Sequence, residues 1–472
     1  MSFKQSLTWR NMDLLYEASV ASQIARYAAG LKYEHLPDDV VHHAKRSLLD
    51  GLGCAIGGYV APGRPACETV AIALGGPPEA TVFGSGLRTG IASATLVNCF
   101  MMRFLEFNDV GGGNHNEEAI PALMAICERE GRSGKDFLTA LVMSYEIGVR
   151  VVGSVPGASA GWDKHGWSTD ARGGLNMPPA IGKLLGLNES QIAHALAICA
   201  SRGVPLGILD ADREENSMAK NLRFGFITRE AITACLLAQQ GFTGPLRVVE
   251  GDGGYRDGIL HGDMDLQALV DFTGWRIRDT RFKRLCANGS TQGHLHATMD
   301  IVTANDLKPE DIASVRIRCG AREARHTTAL AKKYPRNAET GDHSAYFANA
   351  FAIKYRNFGP DSCDPSHFTD PEIVDLIERI TVQHDPELPA RGRAGISEIT
   401  TKDGRRFECK RDALVDILPD SELEAKFMDL ALRHMNESRA RAIIDVVWNI
   451  DKAPDFKDLT QLMSFAKQGT VQ

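Results

Sequence analysis

The stretch PDDVVHHAKRSLLDGLGCAIGG, residues 37–58, decides the fold, because Val40, Val41, Ala44, Leu48, Leu49, Leu52 and Ile56 recur at steps of three and four residues. That spacing gathers them on one face of an α-helix, and a face so apolar has to be buried. The same pattern returns in TGIASATLVNCFMMRFLEF (89–107), KDFLTALVMSYEIGVRVV (135–152), ESQIAHALAICAS (189–201) and NLRFGFITREAITACLLAQQ (221–240), each followed by glycine, proline or polar breaks. The chain up to residue 240 therefore reads as a many-helix body.

Beyond it the texture changes. A glycine-rich passage, GPLRVVEGDGGYRDG (244–258), interrupts the helical period, and after Trp275 the period moves toward two in SVRIRC (314–319) and ISEITTKDGRRFECK (396–410). The second of these predicts a β-hairpin that turns at Asp403-Gly404. Helical spacing resumes in ELEAKFMDLALRHM (422–435) and SRARAIIDVVWNI (438–450). The expected fold class is mainly α: a large all-α helical domain over 1–275, a smaller inserted α/β (α+β) domain over 276–415, and C-terminal helices over 416–472 that rejoin the first.

At 472 residues the chain can bury a large core, and 43% hydrophobic residues, 24% charged residues and a net charge near −7 describe an ordinary globular protein. Nothing in that balance suits disorder or nucleic-acid binding, so cations for an acidic ligand must be local. The opening MSFKQSLTWRNMDLLYEAS lacks the apolar centre of a signal peptide, and no run of about eighteen uncharged apolar residues follows. A cytoplasmic protein with no membrane partner is expected. Ten cysteines are scattered singly, without a CxxC pair or a Cys/His cluster, and read as reduced thiols, mostly in the core.

Three motifs carry little. GSGLRTG (84–90) has GxGxxxG spacing and no βαβ pattern around it, so a dinucleotide site is not expected. Ser217-Met-Ala-Lys220 matches SxxK but lacks the companion SDN and KTG segments, leaving the lysine as its point of interest. His294-Leu-His296 could be two ligands on a strand, yet no third ligand sits at a recognisable spacing, so no metal is expected.

The densest polar break in the helical text is LEFNDVGGGNHNEEAIPALMAI (105–126), where an apolar helix runs into Glu106, Asn108 and Asp109, then glycines, then His115. Glycines let a backbone approach a ligand closely, and a helix expected to start near Glu117 would direct its dipole at an anion. The same residues also fit a solvated loop with capping acids.

Here the sequence resembles the MmgE/PrpD family, whose members carry a stretch like LDFND, a short loop, a histidine and an apolar helix. SLLDGLGCAIGG (47–58), GKLLGL (182–187) and SMAKNLRFGFITREAITACLLAQQGFTGP (217–245) resemble further family segments. So do RFKRLCANGSTQGHLHATMD (281–300) and ETGDHSAYFANAFA (339–352), and the likeness covers nearly the whole chain. It implies a helical domain with an inserted α/β lid, a homodimer, no cofactor, and a small polycarboxylate substrate. Members include 2-methylcitrate dehydratase, cis-aconitate decarboxylase and iminodisuccinate epimerase.

Carried over by position, Asp109 and His115 resemble an acid/base pair, Lys220 a cation for a substrate carboxylate, and His296 and Tyr346 the lid's catalytic contributions. His165 in GWDKHGWSTDA, Arg223 and Lys283 are candidates for holding substrate. Proton transfer next to a carboxylate suits a histidine near neutral pKa, with cations to stabilise the developing charge. The main expectation is a 2-methylcitrate dehydratase-like hydro-lyase; a decarboxylase or epimerase built from the same residues, or a non-catalytic binding protein, are the alternatives. Two departures bear on substrate: many relatives have His-Pro-Ser at His115-Asn116-Glu117, and many have histidine at Arg223. Glu117 or Glu118 would repel an anionic ligand, and Arg223 would attract it.

Overall fold

Residues 37–58 form the helix Asp38–Gly57, which follows Pro37 and opens with Asp38 and Asp39, two acids that complement the positive end of the helix dipole. Leu48, Leu49, Leu52 and Ile56 are wholly buried on it, and removing each from water contributes about 2 kcal/mol. The computed structural model describes residues 14–111, 115–388, 393–413 and 417–466. The protein is mainly α, and most of the other expected helices appear close to their apolar runs: Ile91–Phe104, Ile120–Glu130, Gly134–Gly153, Glu189–Ala200 and Arg223–Gln239. Capping boxes fix two of the starts, Ser133 with Asp136 and Asn188 with Gln191. The helix expected near Glu117 begins instead with a 3-10 turn, Asn116–Ala119.

These helices share one hydrophobic core, which runs from Val20 to Cys286 and takes in Leu418 to Phe465 near the C-terminus. Helix Asp420–Ala431 packs on Asp38–Gly57. The approach is close enough that a Cβ on Gly57 would come within 2.7 Å of a Leu430 methyl carbon, so glycine is needed there.

A second core spans Leu285 to Ile399. Beside the two-residue pair β1 (Ala80–Thr81) and β2 (Arg88–Thr89), the strands are β3 (Ile312–Cys319), β4 (Ile380–His384), β5 (Ala394–Thr401) and β6 (Arg406–Asp412). Their order is β4-β3-β5-β6, with β3 and β4 parallel and the other pairs antiparallel. The β5–β6 hairpin pairs Thr400 with Arg406 and turns where the sequence placed Asp403-Gly404, with Gly404 at φ +90°. All ten cysteines are free, seven of them buried. Among the described residues no helix is long and apolar enough to cross a membrane.

Candidate active site

Helix Ile91–Phe104 runs out at Leu105, and the next residue, Glu106, has a left-handed backbone with φ +50°. For a non-glycine residue this costs about 1 kcal/mol, and such strain concentrates at functional positions. Its side chain is wholly buried. Four basic groups close on it. Arg103 pairs with Oε2, and Lys220 Nζ donates to the same oxygen at 2.9 Å. Lys283 Nζ donates to Oε1 at 3.0 Å and to the Glu106 carbonyl at 2.6 Å, and His115 Nε2 lies 3.5 Å from Oε1.

Separate elements deliver these groups. Lys220 sits in the 3-10 turn Met218–Leu222. Lys283 is brought in because Val110 and Arg281 exchange backbone hydrogen bonds at 2.7 Å, pinning the 281–283 segment along the loop after Glu106. Burial alone would raise the Glu106 carboxyl; Arg103, Lys220 and Lys283 outweigh it and hold the group well below the usual carboxylate range. Burial pulls the Lys283 ammonium down to about 8, against the opposing pull of Glu106.

His115 Nδ1 donates to the Asp109 carbonyl at 2.5 Å, which fixes the tautomer and leaves Nε2 as a lone pair turned to Glu106. Burial, reinforced by Arg103 and Lys283, holds this ring well below the ordinary histidine range, so it is neutral at rest. The Asp109 carboxylate points elsewhere. It accepts from Tyr145 Oη at 3.0 Å, Asn116 N at 3.2 Å and Glu117 N at 3.4 Å, which caps the 3-10 turn. Burial lifts it to about 7. Asp109 and His115 are therefore joined through the backbone of one and the ring of the other. Gly112 and Gly113, expected to approach a ligand, lie outside the described residues.

The remaining candidates divide. His296 is partly buried on helix Gln292–Ala304 and lines an open cavity of about 600 Å³ with Val110, Lys283, Gln292 and Asp300. Lys283 thus belongs to both the cavity and the Glu106 cluster. His294 shares that helix rather than a strand, and its Nδ1 accepts from Asn349 Nδ2 at 3.0 Å. Tyr346 packs against the second core, its ring centre 5.9 Å from Lys333 Nζ, with no contact to the Glu106 cluster among the described residues. His165 Nε2 meets Asp263 at 3.0 Å, and its ring stands edge-on to His261.

The expected effects of the substituted residues are corrected. Glu118 does not stand exposed to a ligand: Arg103 Nε is 3.0 Å away and Arg172 Nη2 3.6 Å away. Glu117 is pushed well above the usual carboxylate range by burial and by Asp50 and Asp109, so it is uncharged and repels nothing. Arg223 is already engaged, 2.9 Å from Asp170 and 3.4 Å from Asp210, and is not an open anion receptor.

Several site residues had gone unassigned. Besides Glu106 and Arg103 these are Asp342, 3.7 Å from Lys220, and His343, which pairs with Asp342 and lies 3.3 Å from Asp210. The DHS motif quoted from the sequence contains both, and LEFND contains Glu106. Among the described residues, two sets bring three potential metal-binding atoms within 4.8 Å of one another: Asp210, His326 and His343, and Glu106, Asp342 and His343. In the first, Arg223 and the Asn288 amide, 2.7 Å from His343 Nε2, already supply donors. In the second, Lys220 and Lys283 do so.

Family models extend the picture over most of the chain: the MmgE/PrpD N-terminal domain matches residues 22–267 and the MmgE/PrpD C-terminal domain matches 286–452. Relatives include a cis-aconitate decarboxylase of Aspergillus terreus, 24% identical over 97% of this chain and 98% of its own length. A cis-aconitate decarboxylase-like protein of Aspergillus oryzae is 25% identical over 96% and 98%. The cis-aconitate decarboxylase of Homo sapiens is 23% identical over 94% of each chain. With both domain models matched in order around the Glu106 cluster, this chain belongs to the MmgE/PrpD family.

Proposed function

We propose that the protein is a lyase that decarboxylates a small tricarboxylate of the cis-aconitate type. The observation that carries the reading is Lys283: a buried ammonium with a pKa near 8, held by Glu106 and lining the open cavity. In such a decarboxylation the carbon–carbon bond to one carboxylate breaks and its electron pair forms a new double bond. The far carbon of the old double bond takes a proton, and carbon dioxide leaves. One proton is consumed, so the site needs an acid, and an acid works best with a pKa near the operating pH. Lys283 meets that requirement at rest, whereas His115 is neutral and suits the taking of a proton. Two of the three Lys283 donors go to Glu106, leaving one for a ligand. In this reading His296, across the same cavity, offers a further polar contact to the substrate, and Lys220, behind Glu106, adds positive charge to the cluster. Asp109 acts as a positioning residue that fixes the His115 ring.

Decarboxylation moves ahead of dehydration because the relatives from Aspergillus terreus and Homo sapiens are cis-aconitate decarboxylases. In the same reading residues 276–415 form a lid over the helical domain, and the working unit is a homodimer. Proton NMR in deuterated water with cis-aconitate, 2-methylcitrate, citrate and iminodisuccinate in turn is the test. The reading expects cis-aconitate to give a product with one carbon fewer and one new C–D bond. Conversion of 2-methylcitrate alone would return the assignment to a dehydratase, and absence of both turnover and α-proton exchange with all four would leave a binding protein.

A further inference from the structure

Most cations of the candidate site already have carboxylates: Lys220 and Lys283 share Glu106, and Arg223 holds Asp170 and Asp210. Arg393 differs. It immediately precedes β5, and among the described residues its guanidinium makes no hydrogen bond and has no carboxylate within ion-pair distance. A partly buried guanidinium left this way has unused donors in a fixed fork, the geometry that matches a carboxylate bidentately.

Its placement is built into the packing. A Cβ on Gly289 would lie 1.7 Å from Arg393 Nη1 and 3.0 Å from Val110 Cγ2, so only glycine leaves room for the guanidinium there. A Cβ on Gly293 would lie 2.1 Å from the Arg393 carbonyl oxygen, so the start of helix Gln292–Ala304 can rest on the Arg393 backbone only without a side chain. Val110, in contact range of the same spot, also lines the cavity that holds Lys283 and His296. Burial, with Arg322 next in weight, pulls Arg393 down to about 10, and the charge of Glu106 reaches it. Arg322 itself is engaged, 3.2 Å from Asp163. Glu323 is the other acid whose charge reaches Arg393, and one of its buried carboxylate oxygens has no hydrogen-bond partner.

We infer that Arg393, seated over Gly289, is the anchor for a substrate carboxylate remote from the reacting carbons, and that it makes the site prefer tricarboxylates to dicarboxylates. The inference rests on the polycarboxylate reading above. Its test needs no turnover: titration calorimetry of the full chain with propane-1,2,3-tricarboxylate, which has no double bond to react, and with glutarate. The wild type binds the tricarboxylate more tightly. Arg393→Gln weakens the tricarboxylate by roughly tenfold to a hundredfold, the loss expected for one charged hydrogen-bonding partner, and leaves glutarate nearly unchanged. Arg393→Lys keeps the charge but not the fork and falls between. Gly289→Ala displaces the guanidinium and reproduces the selective loss, which keeps the inference testable if Arg393→Gln folds poorly.

If the wild type binds neither acid, the polycarboxylate reading fails, and this inference fails with it. If the wild type prefers the tricarboxylate and Arg393→Gln and Gly289→Ala keep that preference, the reading stands and the anchor is elsewhere. Equal weakening toward both acids would also overturn the inference, since it would mark Arg393 as a general charge, such as a partner that swings to Glu323.

Discussion

Two neighbouring carboxylate sites are equally buried and differ in protonation state. Around Glu106 one carboxylate faces Arg103, Lys220 and Lys283, and it stays ionised. Around Asp109 three carboxylates, Asp109, Glu117 and Asp50, have one nearby cation, Lys426, which lies 2.7 Å from Asp50 and also acts on Glu117, and all three are pushed upward by burial. His115 stands at the seam, its Nδ1 on the Asp109 carbonyl and its Nε2 toward Glu106. Burial therefore does not decide the charge state of an acid here; the count of cations around it does. One site displays fixed charge and the other stores protons.

The sharpest way to break that comparison is to make one substitution at both sites. Glu106→Gln leaves Lys283 without its carboxylate and takes one from Arg103 and Lys220, and unfolding measurements should show a loss of about 3–5 kcal/mol together with lost turnover. Lys283→Met keeps much of the packing and removes the acid; turnover should fall by roughly 10²–10⁴-fold in a steady-state assay, with a smaller change in melting temperature. The proton-storing site predicts a direction in pH. Carboxyls whose pKa is raised in the folded state hold protons that the unfolded chain has released above about pH 4. Each such group therefore lowers stability as pH rises, through about 7 for Asp109, by up to roughly 1 kcal/mol per pH unit. Melting temperature should fall between pH 5 and pH 8, to an extent of about that order per group. Glu117→Gln should be the mildest change, within about 1 kcal/mol at pH 7, because glutamine resembles the protonated acid already there, and it should flatten the pH dependence.

The helices and the hairpin were legible because they are local. Residues three and four apart in 37–58 share a face whatever the rest of the chain does, and Asp403-Gly404 carries its own turn chemistry. His115 and Lys220 came from family order and Lys283 from its local positive charge, and the structure brings all three to Glu106. Glu106 itself read as an acid at a helix end, since its lysines lie 114 and 177 residues away in sequence. Glu117 and Glu118 looked like repulsive charge because a sequence shows neither Arg103 turning onto Glu118 nor the burial that keeps Glu117 protonated. Arg393 had no signal of its own beyond two glycines four residues apart, which explain themselves only when its guanidinium is seen against Gly289 and its backbone carbonyl against Gly293.

The account turns on which group carries the transferred proton, and the dependence of kcat/KM on pH with cis-aconitate tests that most directly. If Lys283 is the acid, the rate holds through neutral pH and falls about tenfold per unit above pH 8, as the free ammonium is lost, and Lys283→Met abolishes that limb. A rate that instead climbs from acid pH to a plateau and stays level above pH 8 would put the work on an unprotonated base such as His115. That outcome would contradict a decarboxylation driven by Lys283.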